Sequence, residues 1–115
     1  MIEIAVNNLA AATGARTVTG EADRVCRGCV IDSRQVEEGT IFVAFPGEKV
    51  DGNDFASCAI ESGAGAVVMT REPDAELLSL AHEKGCAILH ADDPEEFLLR
   101  LAHAYRCLLY TSDAA

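Results

Sequence analysis

A length of 115 residues fits one domain and leaves no room for two ordinary ones. Half of the residues are hydrophobic and 24% are charged, a composition typical of a globular domain and not of a disordered chain. The net charge of −10 argues against partners that attract basic proteins, namely nucleic acid and anionic membrane surfaces. A small anionic ligand is compatible with that charge if its pocket is locally basic.

The sequence carries no signal for a membrane or for export. No apolar run approaches the ~20 residues that span a bilayer, and Glu3 stands where a signal peptide would be basic. We therefore expect a cytoplasmic protein with no membrane partner. In that reducing compartment the cysteines are most simply small buried hydrophobic residues. The five are Cys26, Cys29, Cys58, Cys86 and Cys107.

Helix-like and strand-like segments alternate in the first half of the chain. The pattern predicts a helix over 7–13, strands over 17–19 and 26–31, a polar loop over 32–39 and a buried strand over 41–45. The helix is expected to be capped by Asn7 or Asn8 and to end at Gly14. The last strand ends at Pro46-Gly47, a pair that favours a type II turn.

The second half continues the alternation. Its pattern predicts a helix over 55–62, a strand over 66–70, a helix from Pro73-Asp74 to Gly85, a strand over 86–90 and a final helix from Pro94. Asp54 is expected to cap the first of these helices, and Asp92 or Asp93 the last. The final helix carries an apolar stripe of Phe97, Leu98, Leu101, Ala102 and Tyr105.

This order of elements predicts the fold class. Strands that alternate with helices at this spacing indicate βαβ units. We expect an α/β fold, a three-layer sandwich around a largely parallel or mixed sheet of about five strands. The pattern leaves the order of the strands open. No internal repeat, low-complexity stretch or interdomain linker interrupts the chain.

Two short motifs suggest chemistry and are given a structural interpretation. Cys26-Arg27-Gly28-Cys29 has the CxxC spacing of redox and zinc sites, but alternation along a strand would place the two thiols on opposite faces. The three histidines lie on separate predicted elements, so we expect packed thiols and no metal site.

No GxGxxG or GxxxxGK[ST] sequence occurs, so this chain is not expected to bind ATP in the P-loop manner.

The most informative stretch follows the predicted strand that ends at Ile31. Asp32-Ser33-Arg34 leaves that strand, and Lys49 follows the turn at Gly47. Ligand sites in open α/β sheets lie at the carboxyl ends of strands, and Arg binds phosphate through a planar fork of donors. The spacing therefore indicates an anion- or nucleotide-binding rim. A surface loop with an ordinary Arg–Asp pair would have the same spacing, and the residues alone leave both interpretations open.

A longer pattern runs through residues 32–68. It consists of Asp32-Ser33-Arg34, Gly39, Ile41-Phe42-Val43-Ala44, Gly47, Asp51-Gly52, Phe55 and Gly63-Ala64-Gly65-Ala66-Val67-Val68. This pattern resembles the N-terminal domain of the Mur ligases, the ATP-dependent amino-acid and peptide ligases of peptidoglycan synthesis. The resemblance covers about residues 2–106 and implies a Mur ligase N-terminal domain fold.

The resemblance implies that this domain holds the UDP end of a UDP-N-acetylmuramoyl-peptide. Ile31 matches a residue that packs near the uracil, Ser33 a hydroxyl that bonds the nucleotide, and Arg34 a nearby basic residue. The segment at and after the turn glycine also lines the nucleotide in the family, and here it is Gly47, Glu48, Lys49 and Val50. Asn53 departs from the family pattern, because many relatives carry His at its position.

Within the family, the opening helix and strand resemble the member that adds D-alanyl-D-alanine to UDP-N-acetylmuramoyl-tripeptide. The alternatives are the member that adds the third peptide residue, and a stand-alone, non-catalytic α/β interaction domain. The resemblance implies ATP and Mg²⁺ as cofactors of a full-length parent, bound by central and C-terminal domains that this chain lacks. No catalytic residue, metal or cofactor is assigned to the chain itself, and we expect an inactive monomer.

The resemblance also divides the chain. Residues 1–106 form the UDP-sugar-binding domain, whose expected partners are the substrate and the enzyme's own central and C-terminal domains. Residues 107–115 depart from the family pattern, and we expect this tail to be foreign sequence joined to a truncated gene. The alternative is a natural extension of the last helix, since Leu108 and Leu109 continue its apolar pattern.

Overall fold

The computed structural model describes residues 3–20, 24–46 and 52–109, with side chains as far as residue 103. The strands are β1 (Glu3–Ala5), β2 (Arg16–Thr19), β3 (Val25–Arg27), β4 (Cys29–Val30), β5 (Ile41–Val43), β6 (Ala66–Met69) and β7 (Ala87–His90). The helices are α1 (Val6–Thr13), α2 (Ala56–Glu61), α3 (Ala75–Lys84) and α4 (Pro94–Leu109). Two 3₁₀ turns span Ser33–Gln35 and Gly52–Phe55.

Five strands form one sheet in the order β2-β7-β6-β5-β4. The four strands from β4 to β7 are parallel, and β2 pairs antiparallel with β7. The remaining strands, β1 and β3, form a separate antiparallel pair. The predicted α/β fold with a largely parallel sheet of about five strands is confirmed, and parallel pairing explains why β5 and β6 are buried along their whole length.

Alternation along the strands sends side chains into two hydrophobic cores, one on each face of the sheet. One core packs the sheet against α1 and α4 and includes Val6, Leu9, Val43, Val68, Leu89, Phe97 and Leu101. The other packs it against α2 and α3 and includes Phe42, Ala59, Ile60, Val67, Ala81 and Ile88. Helices on both faces of a sheet make the three-layer sandwich that the sequence predicts.

Local signals place the ends of several helices correctly. Asp74 caps α3, since its Oδ1 accepts a hydrogen bond of 2.8 Å from the backbone N–H of Leu77. Asp93 caps α4 and accepts from two backbone N–H groups at 3.0 and 3.2 Å. Gly14 and Gly85 end α1 and α3 with φ of 78° and 73°, a conformation that favours glycine.

The predicted start of α1 is wrong. The helix begins at Val6, one residue before the expected Asn cap, and Ala5 precedes it with no side-chain cap. The missed strand β1 explains this, because it pairs with β3 and leads directly into the helix. The backbone N–H of Val6 donates to the carbonyl of Arg24 at 2.8 Å, so tertiary pairing satisfies a group that a cap would otherwise bind.

The predicted strand over 26–31 is two strands. Gly28, with φ of 72°, separates β3 from β4, so that Cys26 lies in the small sheet and Cys29 in the large one. Both thiols pack against the core that contains α1 and α4, and the expectation that they point to opposite faces is wrong. The break at Gly28 is the reason, since side chains alternate only along an unbroken strand.

The predicted cap of α2 is also wrong, and the last helix is longer than expected. A 3₁₀ turn precedes α2, and Asp54 lies in that turn, where it pairs with Arg71. Helix α4 continues to Leu109, three residues into the tail that we expect to be foreign, and residues 110–115 lie outside the described part. Among the described residues, no helix has the length and apolar character needed to cross a membrane.

Candidate functional site

A cavity of about 750 Å³ opens where β4 and β5 end, at the carboxyl edge of the sheet. We call it the β4–β5 cavity. Its lining consists of Ile31, Asp32, Ser33, Arg34, Gln35, Phe42, Phe45, Gly52 and Phe55. Three residues singled out in the sequence, Ile31, Ser33 and Arg34, therefore lie together in one cavity. The other four, Gly47, Glu48, Lys49 and Val50, fall outside the described residues.

The loop after β4 has a defined shape. Asp32 has extended backbone and caps the 3₁₀ turn Ser33–Gln35, with its Oδ1 accepting from the backbone N–H of Arg34 at 2.9 Å. The backbone N–H of Gln35 donates to the carbonyl of Asp32 at 2.9 Å. These bonds fix the backbone that carries Ser33 at the cavity wall.

Asp32 also holds the guanidinium of Arg34. Nε of Arg34 donates to both carboxylate oxygens at 3.1 and 3.2 Å, and Nη2 donates to Oδ2 at 2.8 Å. The hydrogen bonds from the Arg34 side chain, then the one from its backbone, lower the pKa of Asp32 to about 2. A guanidinium has five N–H donors, so Arg34, whose side chain is 87% exposed, can bind an anion while it stays paired.

Apolar and aromatic side chains form much of the remaining lining. Phe42 is fully buried beneath the cavity, Phe45 is half-buried, and Phe55 is 40% exposed. Ile31 is 59% exposed, which is unusual for a large apolar side chain at the end of a strand. Aromatic faces beside hydrogen-bonding groups suit a flat heterocycle that stacks on one side and bonds at its rim.

Five members of this lining are not predicted as site residues by the sequence pattern: Gln35, Phe42, Phe45, Gly52 and Phe55. The pattern predicts a buried strand at Phe45 and a helix face at Phe55. The signal that could have found Phe45 is its place directly before Pro46, at the carboxyl end of a buried strand, where α/β ligand sites lie. Phe55 joins the cavity through tertiary packing of its turn, which no local pattern reveals.

The turn Gly52–Phe55 closes one side of the cavity. The backbone N–H of Gly52 donates to the carbonyl of Phe45 at 2.7 Å, and a Cβ at Gly52 would lie 2.6 Å from the nitrogen of Phe45. Only glycine allows this approach. Asn53 is buried, and its amide bonds Thr70.

Cys26 and Cys29 support the structural interpretation of the CxxC motif, whereas the expectation of buried cysteines is wrong for Cys58, which is exposed on α2. Burial raises the pKa of the Cys26 thiol to about 11 and that of Cys29 to about 12, which disfavours the thiolate that metal binding and redox chemistry need. Within residues 3–20, 24–46 and 52–103, no group of three or more metal-ligating side chains comes together. His90 Nδ1 and Asp92 Oδ1 are 3.8 Å apart, too far for a hydrogen bond.

The domain is an α/β sandwich with a cavity at the carboxyl ends of its parallel strands, the edge at which ligands bind in open α/β sheets. A sequence model described as "Mur ligase family, catalytic domain" matches residues 25–106. The chain therefore belongs to the Mur ligase family, and its fold is that of the Mur ligase N-terminal domain.

Two curated relatives are similar in sequence, and both are named UDP-N-acetylmuramoyl-L-alanyl-D-glutamate--2,6-diaminopimelate ligase. The protein from Haemophilus influenzae strain PittEE is 50% identical over 52 residues, which is 45% of this chain and 11% of that protein. The protein from Bacillus licheniformis is 37% identical over 75 residues, 64% of this chain and 15% of that protein. The matches thus span a small fraction of these relatives.

A solved structure is similar in fold. UDP-N-acetylmuramoylalanyl-D-glutamyl-2,6-diaminopimelate--D-alanyl-D-alanyl ligase from Acinetobacter baumannii superimposes with a TM-score of 0.73. The superposition covers 96% of this chain and 23% of that one, at 23% sequence identity. At this identity the likeness establishes the shared fold.

Proposed function

We propose that this domain binds the UDP end of a UDP-N-acetylmuramoyl-peptide in the β4–β5 cavity and is the substrate-holding part of an ATP-dependent ligase of peptidoglycan synthesis. The observation that carries the proposal is the convergence of Ile31, Ser33 and Arg34 on one cavity of about 750 Å³ with aromatic lining. The volume falls in the usual range for small-molecule sites, about 300–1,000 Å³.

The chemistry of the cavity matches the parts of a nucleoside diphosphate. The rings of Phe45 and Phe55 and the side chain of Ile31 offer apolar surface to a uracil, and the hydroxyl of Ser33 offers a hydrogen bond. The guanidinium of Arg34 offers charge-assisted hydrogen bonds to a phosphate. In this proposal, ATP and Mg²⁺ bind other domains of the ligase, because this chain has no P-loop sequence.

Titration of the domain with UDP, followed by amide chemical shifts, tests the proposal. We expect the shifts to concentrate at Ile31–Arg34 and Gly52–Phe55. Arg34→Ala should weaken binding about tenfold, because a hydrogen bond to a charged group contributes about 1.5–3 kcal/mol. Arg27→Ala is the matched control, since Arg27 is an exposed arginine of β3 that pairs with Glu3 away from the cavity.

Two outcomes would contradict the proposal. Equal loss of affinity in Arg34→Ala and Arg27→Ala would mean that the affinity for UDP depends only on the overall charge of the domain. The absence of shifts at millimolar UDP would favour the alternative of a stand-alone interaction domain, in which the loop from Asp32 to Arg34 is a surface feature.

We further propose that the parent enzyme adds 2,6-diaminopimelate. The support is that the curated sequence relatives described above are named as diaminopimelate-adding ligases, one of them 50% identical over 52 residues and another 37% identical over 75 residues. The opening helix and strand pointed to the D-alanyl-D-alanine-adding member. That member is the second candidate, and the observation in its favour is a superposition that covers 96% of this chain.

A further inference from the structure

The turn Gly52–Phe55 separates two cavities. Gly52 and Phe55 line the β4–β5 cavity, whereas Asn53 and Asp54 line a neighbouring cavity of about 520 Å³ beyond the end of β6. The turn belongs to no strand of the sheet and leads directly into α2. Its connections to the strand ends include the backbone bond from Gly52 to Phe45 and bonds from the side chains of Asn53 and Asp54.

Asn53 makes the buried connection. Only 4% of this residue is exposed, and both ends of its amide bind one residue. Nδ2 donates to Oγ1 of Thr70 at 2.9 Å, and the backbone N–H of Thr70 donates to Oδ1 at 3.0 Å. Thr70 follows β6, a strand that is paired on both sides and buried throughout, so Asn53 joins the turn to the most rigid part of the sheet.

The adjacent ion pair is a weaker connection. Asp54 Oδ1 accepts from Nη2 of Arg71 at 2.5 Å, but the two side chains are 66% and 53% exposed. Exposed ion pairs contribute little because water solvates both charges and salt screens them. Removing a buried hydrogen-bonding group costs more, because both bonds that its amide makes to Thr70 are lost. Of these two side-chain connections, the buried amide of Asn53 is therefore the stronger one.

We propose that Asn53 is a positioning residue for the β4–β5 cavity: its amide fixes the turn and with it the Phe55 ring that forms part of the cavity wall. The proposal rests on the proposed function, since the ligand is the uridine nucleotide assigned to this cavity. A wall that is already in place costs a ligand less ordering free energy on binding, so the affinity for UDP depends on a residue that does not touch the ligand.

Asn53→Ala tests this role, with Thr13→Val as the matched control. Thr13 is also buried and makes two hydrogen bonds, to the carbonyl of Leu9 at 2.7 Å and from the N–H of Ala15 at 3.3 Å, but it belongs to α1 on the other face of the sheet. Three quantities are measured in each variant: hydrogen exchange of the Thr70 amide, the ring proton shifts of Phe55, and the affinity for UDP.

In Asn53→Ala we expect faster exchange at Thr70, displaced Phe55 ring signals and about a fivefold loss of UDP affinity. In Thr13→Val we expect lower thermal stability, with UDP affinity within about twofold of the original protein. If Asn53→Ala does not fold, Thr70→Val and Thr70→Ser replace it. The valine variant should reproduce part of the loss because it lacks the hydroxyl, and the serine variant should retain the affinity.

The outcomes separate this proposal from the proposed function. Unchanged Thr70 exchange and Phe55 signals in Asn53→Ala, or full UDP affinity despite changed signals, would overturn the positioning role. If the original protein itself does not bind UDP, the proposed function is wrong, and the positioning of Phe55 is then decided by the exchange and ring signals alone.

Discussion

Asp32 determines how the cavity presents its positive charge. One carboxylate caps the turn that carries Ser33 and also holds the side chain of Arg34 through three hydrogen bonds. A long, exposed arginine normally loses rotamer freedom when it binds an anion. Because Asp32 already restricts that freedom, Arg34 would lose less of it on binding the phosphate of the proposed ligand, although the Asp32 charge partly offsets the attraction.

The pKa of Asp32 provides a direct test of this pairing. We expect its carboxyl to titrate with a midpoint near 2, below its ordinary 3.8, because the Arg34 side chain and backbone both donate to it. A pKa lowered in the folded state gives stability that is present above about pH 4 and is lost as the pH falls toward 2. Carboxyl ¹³C shifts recorded between pH 1.5 and about 6 measure the midpoint.

Arg34→Ala should raise that midpoint toward 3.8 without reaching it, since the backbone N–H at position 34 still donates to Oδ1. Arg27→Ala should leave it unchanged. A midpoint near the ordinary value in the original protein would show that the pair between Asp32 and Arg34 does not persist in solution.

At this scale the sequence indicates the chemistry but not the arrangement. The order Asp32-Ser33-Arg34 after a strand identifies a polar loop at a strand end, and the loop lies there. The same three residues fit either a nucleotide-binding loop or an ordinary ion pair, and the structure contains the ion pair within the cavity lining. The aromatic residues Phe45 and Phe55 reach this loop only through folding, so their shared role could not be predicted from spacing.

At the scale of the elements, the aspartates before the helices show which helix starts depend on neighbouring residues and which depend on tertiary contacts. Asp74 and Asp93 each bind backbone N–H groups two or three residues ahead, an interaction contained within the sequence window that predicts it. Asp54 is also an aspartate that precedes an apolar helix, yet its carboxylate pairs with Arg71, 17 positions away. Local pattern alone does not distinguish the two cases.

Matched alanine substitutions test this difference. Asp74→Ala should lower the free energy of unfolding by about 1 kcal/mol, the usual cost of losing a helix cap. Asp54→Ala should lower it by less than about 0.5 kcal/mol, since it removes only an exposed ion pair. Urea unfolding of the two variants measures both losses on one scale. Equal losses, or a larger loss for Asp54→Ala, would contradict the structure and restore the cap that the sequence predicts.

The start of α1 and the division of the strand predicted over 26–31 also could not be predicted from local pattern. The N–H of Val6 is satisfied by the carbonyl of Arg24, so α1 starts without the asparagine cap that its sequence offers. Gly28 divides one predicted strand between two sheets. Both features depend on which strands pair, and strand pairing joins residues that are distant in the chain.

At the scale of the whole molecule, the parallel sheet gathers cavities at one edge. The β4–β5 cavity, the 520 Å³ cavity beyond β6 and a third of about 410 Å³ beyond β7 all lie where strands end. This follows from parallel pairing, since the carboxyl ends of parallel strands share an edge. In the proposed function Arg34 is the described cation that contacts the anion, and the charge of Asp32, its partner in the same lining, partly offsets it.

Exchange of domains distinguishes the two candidate parents. Residues 1–106 would replace the corresponding segment of the diaminopimelate-adding ligase from Haemophilus influenzae and, separately, of the D-alanyl-D-alanine-adding ligase from Acinetobacter baumannii. We expect ATP-dependent ligation of 2,6-diaminopimelate by the first hybrid and at least tenfold less activity, relative to its own parent, from the second. The reason is that a shared fold does not supply matching contact surfaces, whereas 50% identity over 52 residues preserves more of them.

The isolated chain is the control for this experiment and should release no phosphate from ATP, because it lacks a GxxxxGK[ST] sequence to hold the nucleotide's phosphates. Phosphate release with each amine measures all three proteins in one assay. Higher relative activity in the D-alanyl-D-alanine hybrid would identify the D-alanyl-D-alanine-adding ligase as the parent. It would also mean that residues outside the 52 matched ones determine which central and C-terminal domains this domain functions with. Ligation by the isolated chain would refute the proposal that substrate binding and catalysis lie on different domains, since the domain that we assign to substrate binding would then catalyse the reaction.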